Sequence, residues 1–239
     1  MSGRATGDGR TIRGTIRRRL LLNAVVDPDE AADRLPAGLR PHVTERGTVV
    51  GCCLLEIERI RPARGPAAFG FTLRAAAHRI SAEWDDGSGA PTVGVYVPVR
   101  HTDSRAAAIL GGRWFPGVHR RATVDISQGP DQSRWLVGDR HGADGFGIGV
   151  AVSVADEGPP AASCDPVGAT CLAATIGLSP DHRGELEGAR MEPDHRLAHQ
   201  VTIEALDSAF LAGFATARPS PSYLMRDVGV TWTPAAAWG

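Results

Sequence analysis

The chain has no lysine. All 26 of its basic residues are arginine, from Arg4 to Arg226. That absence removes whole reaction classes. A side-chain amine is required for an imine with a carbonyl substrate or with pyridoxal phosphate, and for the lysine of a P-loop. Arginine cannot substitute, because its guanidinium stays protonated and is not a nucleophile. Cysteine is scarce too. Cys52, Cys53, Cys164 and Cys171 form no CxxC pair, which excludes the usual zinc and dithiol motifs. The apolar run Leu20-Leu21-Leu22 is too short for a signal peptide or a membrane span, so a cytoplasmic protein with reduced thiols is expected. A net charge of -1 leaves no excess of positive charge for nucleic acid or an anionic membrane surface.

What is present is an apolar content of 42%, enough for a substantial core, distributed mostly with period two. The pattern predicts strands near 16–26, 41–45, 48–60, 75–84, 92–99, 118–127, 132–138, 146–155, 197–206 and 222–232. Asp85-Asp86-Gly87-Ser88-Gly89 is a hairpin signal. Helices are few. Asp27-Pro28-Asp29-Glu30 combines an N-cap, a first-turn proline and an acid, predicting a short helix to about Leu35. Ser104 to Leu110 reads as a second helix, stopped by Gly111-Gly112, and Asp165-Pro166 as the start of a third that ends near Gly177. Residues 1–15 are polar and Gly-rich and are expected to be a disordered lead. Residues 16–239 show no repeat and no dividing linker. The expected fold is mainly β (α+β), a closed or strongly curled antiparallel sheet with small peripheral helices.

Alternation also sorts side chains by face. In 118–127, Arg120 shares a face with Val118, Ala122, Val124 and Ile126. In 76–84, His78 shares one with Ala76, Ile80, Ala82 and Trp84, while Arg79, Ser81 and Glu83 point the other way. Arg18 aligns with Ile16, Leu20 and Leu22. A guanidinium on an apolar face must be paired or must meet an anionic ligand, so Arg120 and His78 are the candidate catalytic residues. Glu56, Glu58, Glu83 and Asp103 are the acids that could pair with the arginine. In 145–154, Gly145, Gly147 and Gly149 line one face, which admits close packing or a cavity wall. His195 and His199 fall on a strand rather than a helix, too far apart to share a metal. No G-x-S-x-G, P-loop or strand-borne G-x-G-x-x-G occurs. No metal or cofactor is expected.

Three stretches carry a family resemblance. Arg18-Arg19-Leu20-Leu21-Leu22-Asn23, the run Ala76 to Asp85, and Gly111-Gly112-Arg113-Trp114-Phe115-Pro116-Gly117-Val118-His119 resemble the DUF2071 family, which is related to acetoacetate decarboxylase. The resemblance spans about Arg17 to Trp232. It implies an acetoacetate decarboxylase-like β-barrel or cone enclosing a cavity. In the decarboxylases the reactive lysine follows a G-R-x-x-x-G-x-x pattern. Gly112-Arg113 through Gly117 aligns with that pattern, so the reactive position falls on Arg120, with Arg121 beside it. Arg120 cannot form the imine on which that decarboxylation depends.

The resulting expectation is a small-molecule enzyme that binds an organic anion without an amine. Lyase, cyclase or dehydratase-like proton transfer on an oxo-acid or polyketide-like anion would fit, with Arg120 gripping a carboxylate or enolate and His78 as acid or base. Arg18, Arg113, Arg121 and Glu83 are the candidate substrate-binding residues. The alternatives are a non-catalytic organic-anion-binding barrel and a structural scaffold. No nucleic-acid or membrane partner is expected, and a homo-oligomer is compatible with the sequence.

Overall fold

The computed structural model describes residues 11–87, 89–110, 115–129, 132–138, 150–160, 170 and 172–235. In chain order its strands are β1 (Ile12–Val26), β2 (Arg40–Pro41), β3 (Val43–Thr44), β4 (Gly47–Pro62), β5 (Phe71–Asp85), β6 (Pro91–Tyr96), β7 (Arg100–Thr102), β8 (His119–Arg121), β9 (Thr123–Gln128), β10 (Gln132–Gly138), β11 (Val150–Pro160), β12 (Ile176–Pro180), β13 (Leu186–Pro193), β14 (His199–Ser208) and β15 (Arg218–Ala235). The short helices are α1 (Pro28–Ala32), α2 (Arg105–Leu110) and α3 (Ala209–Ala212). None is long and apolar enough to cross a membrane.

The strands β1-β4-β5-β6-β12-β13-β15 run in sequence around a ring that closes where β15 pairs with β1. This seven-stranded barrel is antiparallel except at the β6–β12 seam, which is parallel. From β15 the sheet continues outward through β14, β11, β10 and β9. The expected mainly β barrel with few short helices is therefore the fold observed.

Long, bulged strands make the curl possible. The register between β1 and β4 shifts between Arg13 and Thr15 and again between Ile16 and Arg18, and between β4 and β5 it shifts between Ile57 and Ile60. Each bulge inserts an extra residue on one strand and bends it. Arg59, inside the last of these, has φ of 54°, a left-handed conformation uncommon for a residue with a side chain.

Both faces of β1, β4 and β5 are buried, and this decides where the functional residues point. Leu20, Leu22, Leu54, Ala76 and Ile80 face outward from the barrel into a dry core. The extended sheet supplies Val124, Trp135 and Val152 to that core, and α3 supplies Phe210. Ile16, Leu21, Cys53, Ala77, Met225 and Trp232 face the barrel interior.

Local signals explain several elements. Asp27 caps α1, its carboxylate accepting from the Asp29 amide at 2.9 Å, and Pro28 occupies the first turn. The α1 helix stops at Ala32, short of the expected Leu35. The Asp85–Gly89 break joins β5 to β6, with Asp85 opposite Pro91. The expectation of a disordered lead over 1–15 is corrected for Ile12 to Thr15, which pair with β4 and β15, while residues 1–10 lie outside those described. The helix expected from Asp165 falls partly on residues outside those described. Its predicted end at Gly177 is corrected, since Ile176–Pro180 is strand β12. The β12–β13 hairpin was not predicted at all. Asp181 organises its turn by accepting from the amides of Arg183 and Glu185. The glycine-lined stretch Gly145, Gly147 and Gly149 lies outside the described residues.

Candidate functional site

A cavity of about 220 Å³ occupies the barrel interior. All seven barrel strands contribute to its wall, among them Arg19 of β1, Cys53 of β4, Arg79 of β5, Val95 of β6, Gly177 of β12, Met191 of β13 and Trp232 of β15. Arg100 and Thr102 of β7, Phe115 and His119 complete one side. Most of the lining is aliphatic or aromatic.

The register fixes which side chains enter. Leu21, Cys53 and Ala77 stand opposite one another across β1, β4 and β5. Ala77 in turn faces Arg100 on β7, and Arg100 faces His119 on β8. One row away, Asn23, Gly51 and Arg79 are aligned. Gly51 carries no side chain, and Arg79 reaches past it to donate to Asn23 Oδ1. The Asn23 amide is oriented for this by its Nδ2, which donates to Pro221 O at 2.8 Å. Gly117, at φ of 87°, turns the chain toward β8. A Cβ there would lie 2.4 Å from Ser179 Cβ, so the corner that presents His119 tolerates glycine alone.

The charge in the cavity is one-sided. Arg19, Arg61, Arg79 and Arg100 line it, and among the described residues no aspartate or glutamate does. Arg19 is 9% exposed and Arg79 5%. The acceptors around the Arg19 guanidinium are all sulfur atoms: Cys53 Sγ at 3.2 Å from Nε, and Met225 and Met191 Sδ at 3.9 and 4.0 Å from Nη1. Sulfur is a weak acceptor and compensates little of a buried positive charge. Arg100 donates from Nη2 to Ser179 Oγ at 3.0 Å and lies over the Phe115 ring. Desolvation pushes its pKa down to about 10, so it remains charged at neutral pH. The Nε atoms of Arg79 and Arg100 are buried without an acceptor among the described residues.

His119 is the titratable partner of these cations. Burial and then the Arg100 charge push its pKa down to about 4, so the ring is neutral at physiological pH. Its Nε2 has no acceptor or donor among the described residues.

The residues singled out from sequence occupy different places. His78 and Arg120 share a face, linked through His101. The His101 ring meets His78 edge-on at 5.9 Å, and its backbone pairs with Arg120. That face packs against the second sheet; Ala76 and His101 on it also reach the cavity wall, whereas His78 and Arg120 do not line it. His78 is 1% exposed. It stacks on Phe210 at 4.6 Å and has Nδ1 2.9 Å from Cys52 Sγ. Desolvation holds the His78 pKa down at about 3 and pushes the Cys52 thiol up to about 12. Both groups are therefore neutral, and the thiol and the imidazole share a hydrogen bond. The inward placement expected of these two residues is corrected by this register: alternation separates two faces, and the more apolar one proved to be the packed core.

Arg18 pairs with Glu56 at 3.0 Å, and Glu56 also meets Arg74 at 3.5 Å. Glu83 pairs with His42 and Arg40 near the surface. Arg121 is half-buried and is not in the cavity wall. None of Arg18, Glu83 and Arg121 lines the cavity. Arg113 lies outside the described residues. Sequence reasoning missed Arg19, Arg79, Arg100, His119 and Cys53. For Arg19 and Arg79 the signal was available, since each alternates with a residue that had been assigned to the opposite face.

No protein-family model matches the chain, and no curated protein matches it. Solved structures do match. Acetoacetate decarboxylase from Legionella pneumophila superposes with a TM-score of 0.63 at 14% identity, covering 99% of this chain and 90% of that one. The enduracididine biosynthesis enzyme MppR, complexed with pyruvate, superposes with a TM-score of 0.62 at 14% identity over 95% of this chain and 88% of the other. An acetoacetate decarboxylase-like enzyme from Sphingomonas wittichii RW1 gives 0.59 at 15% identity, over 95% and 92%.

Proposed function

We propose, from the acetoacetate decarboxylase-like fold that the chain shares with these enzymes, that its barrel cavity binds a small organic carboxylate and acts on it by proton transfer, without an amine. The observation that carries this reading is that four arginines stand in a largely apolar wall with no acid among its described residues. Buried guanidiniums without carboxylate partners are costly, and a bound anion supplies the missing charge and hydrogen-bond acceptors. Arg19, Arg79 and Arg100 take the gripping role that the sequence resemblance gave to Arg120. His119 is the acid–base group, neutral before the substrate arrives and able to accept a proton as charge moves onto the ligand.

The substrate we favour is an oxo-acid, in keeping with the pyruvate bound by MppR. The arginines would hold the carboxylate and stabilise the enolate formed when His119 removes the adjacent proton. Dehydration and cyclisation can begin with this proton removal, while non-covalent decarboxylation reaches an enolate by loss of CO2 instead. We further read the chain as a cytoplasmic member of the DUF2071 family, on the strength of the Ala76–Asp85 and Gly111–His119 motifs.

Binding is tested by the thermal shift of the purified protein with pyruvate and with its neutral amide. Stabilisation by the acid alone, lost in Arg19→Met and Arg79→Met, is the expected result. Catalysis is tested separately by exchange of the pyruvate methyl protons with D2O, followed by NMR. Exchange that depends on His119, with binding retained in His119→Gln, supports the enzyme. Binding without exchange would leave a carrier, and absence of binding would overturn the reading altogether.

A further inference from the structure

Cys53 and Cys52 are adjacent in sequence and opposite in setting. Cys52 turns outward from the barrel into the dry core, where its thiol meets His78. Cys53 turns inward. It lines the cavity, and its Sγ lies 3.2 Å from Arg19 Nε. Across the row it aligns with Ala77 and then Arg100. Ala77, with its short side chain, stands between Cys53 and Arg100 in this row, and all three line the cavity.

A second observation points to a ligand at the same place. Arg79, 5% exposed, lines the cavity with a buried Nε that lacks an acceptor, and Arg100 has the same deficit. Arg19 and Arg79 thus bring positive charge to the wall on either side of the Cys53 row. With lysine absent from the chain, Cys53 is the strongest nucleophile in the wall.

We propose that Cys53 is a covalent capture site of the cavity, adding reversibly to the carbonyl carbon of a 2-oxo carboxylate held by the arginines. This rests on the anion-binding reading above. In the step, the sulfur forms a bond to the carbonyl carbon and the C=O π pair moves onto oxygen. That oxygen takes the proton released by the thiol. The product is a hemithioketal, nothing is oxidised or reduced, and no other reactant is consumed. The arginines bind the carboxylate throughout and favour the alkoxide that forms in passing.

Two measurements on the full chain test this. The first compares iodoacetate with iodoacetamide, near-isosteres that differ in charge, by peptide mass spectrometry with fragmentation that separates Cys52 from Cys53. We expect Cys53 to be alkylated about tenfold faster by iodoacetate, the reverse of an ordinary thiol. The preference should be lost in Arg19→Met, the rate should fall with excess pyruvate, and Cys52 should stay unmodified. The second follows [2-13C]pyruvate by NMR. The labelled carbon should move from the ketone to the tetrahedral region with the wild-type protein and not with Cys53→Ser. If pyruvate still stabilises the protein thermally while Cys53 shows neither the iodoacetate preference nor the tetrahedral signal, covalent capture is overturned and the anion site stands. If pyruvate does not bind, both fail.

Discussion

The two faces of β5 bury polar side chains in opposite ways. Outward, His78 is neutral, stacked and hydrogen-bonded to a thiol, in a core closed by a second sheet. Inward, Arg79 is charged, and its only described acceptor is Asn23. On the outer face His78 carries no charge, although its Nε2 is itself without a partner among the described residues. The inner face is left short of negative charge, and that shortage is what marks it as a binding surface. Polarity alone does not separate the two, because both residues are almost fully buried. The state of charge does.

Substitutions on the two faces should therefore part stability from binding. The largest stability loss is expected in the outer core. Trp135→Ala, removing one of the largest fully buried side chains, should cost about 3–5 kcal/mol in urea denaturation and leave the affinity of any remaining folded protein for pyruvate unchanged. On the inner face the pattern reverses. Arg19→Met should weaken pyruvate binding by about 2–4 kcal/mol in calorimetry. It should also hold or raise the urea midpoint, because an uncompensated buried charge is replaced by an apolar chain of similar length. Equal losses of stability and affinity would erase the distinction between the faces.

Acid sharpens it further. An imidazole released by unfolding takes up a proton near pH 6.5, whereas His78 in place resists protonation down to about 3. The unfolded state thus binds more protons within that window. The His78 contribution is complete above pH 6.5 and declines as pH falls through the window, by about 1.4 kcal/mol per pH unit. His119 acts in the same direction down to about 4. Urea midpoints measured against pH should show this limb, and His78→Gln should flatten it. Pyruvate should lift the curve at every pH where the ligand remains ionised. The smallest effect belongs at the surface: Arg40→Ala, which breaks the exposed contact with Asp85, should leave the urea midpoint unmoved.

Much of the barrel was legible because its long strands alternate or run apolar. The Asp85–Gly89 hairpin and the Asp27 cap carry explicit local chemistry. β12 and β13 were lost for a physical reason. Ile176-Gly177-Leu178-Ser179-Pro180 is five residues long and holds both a glycine and a proline, so it reads as the tail of a helix, and only its pairing with β6 and β13 makes it a strand. The site was half legible. Alternation grouped Ala76, His78 and Ile80 correctly and placed Arg79 opposite. It could not tell which group looks into the cavity, because that depends on where the extended sheet β9–β11 and β14 folds back. Arg100 carried no local signal, since three residues are too short a strand to show a period.

The seam between β1 and β15 sets a condition on assembly. Ile12 stands opposite Trp232, and Leu20 opposite Leu224, so the strand that begins the ring is flanked by the one that completes it. Contacts this distant in sequence are slow to form, because a large loop must be ordered before they yield any gain. While the ribosome is still making the far half of the chain, the free edge of β1 is left exposed, an invitation to mispairing. The arginine cluster becomes enclosed only as that last strand docks, so folding yield and ligand uptake should mature together.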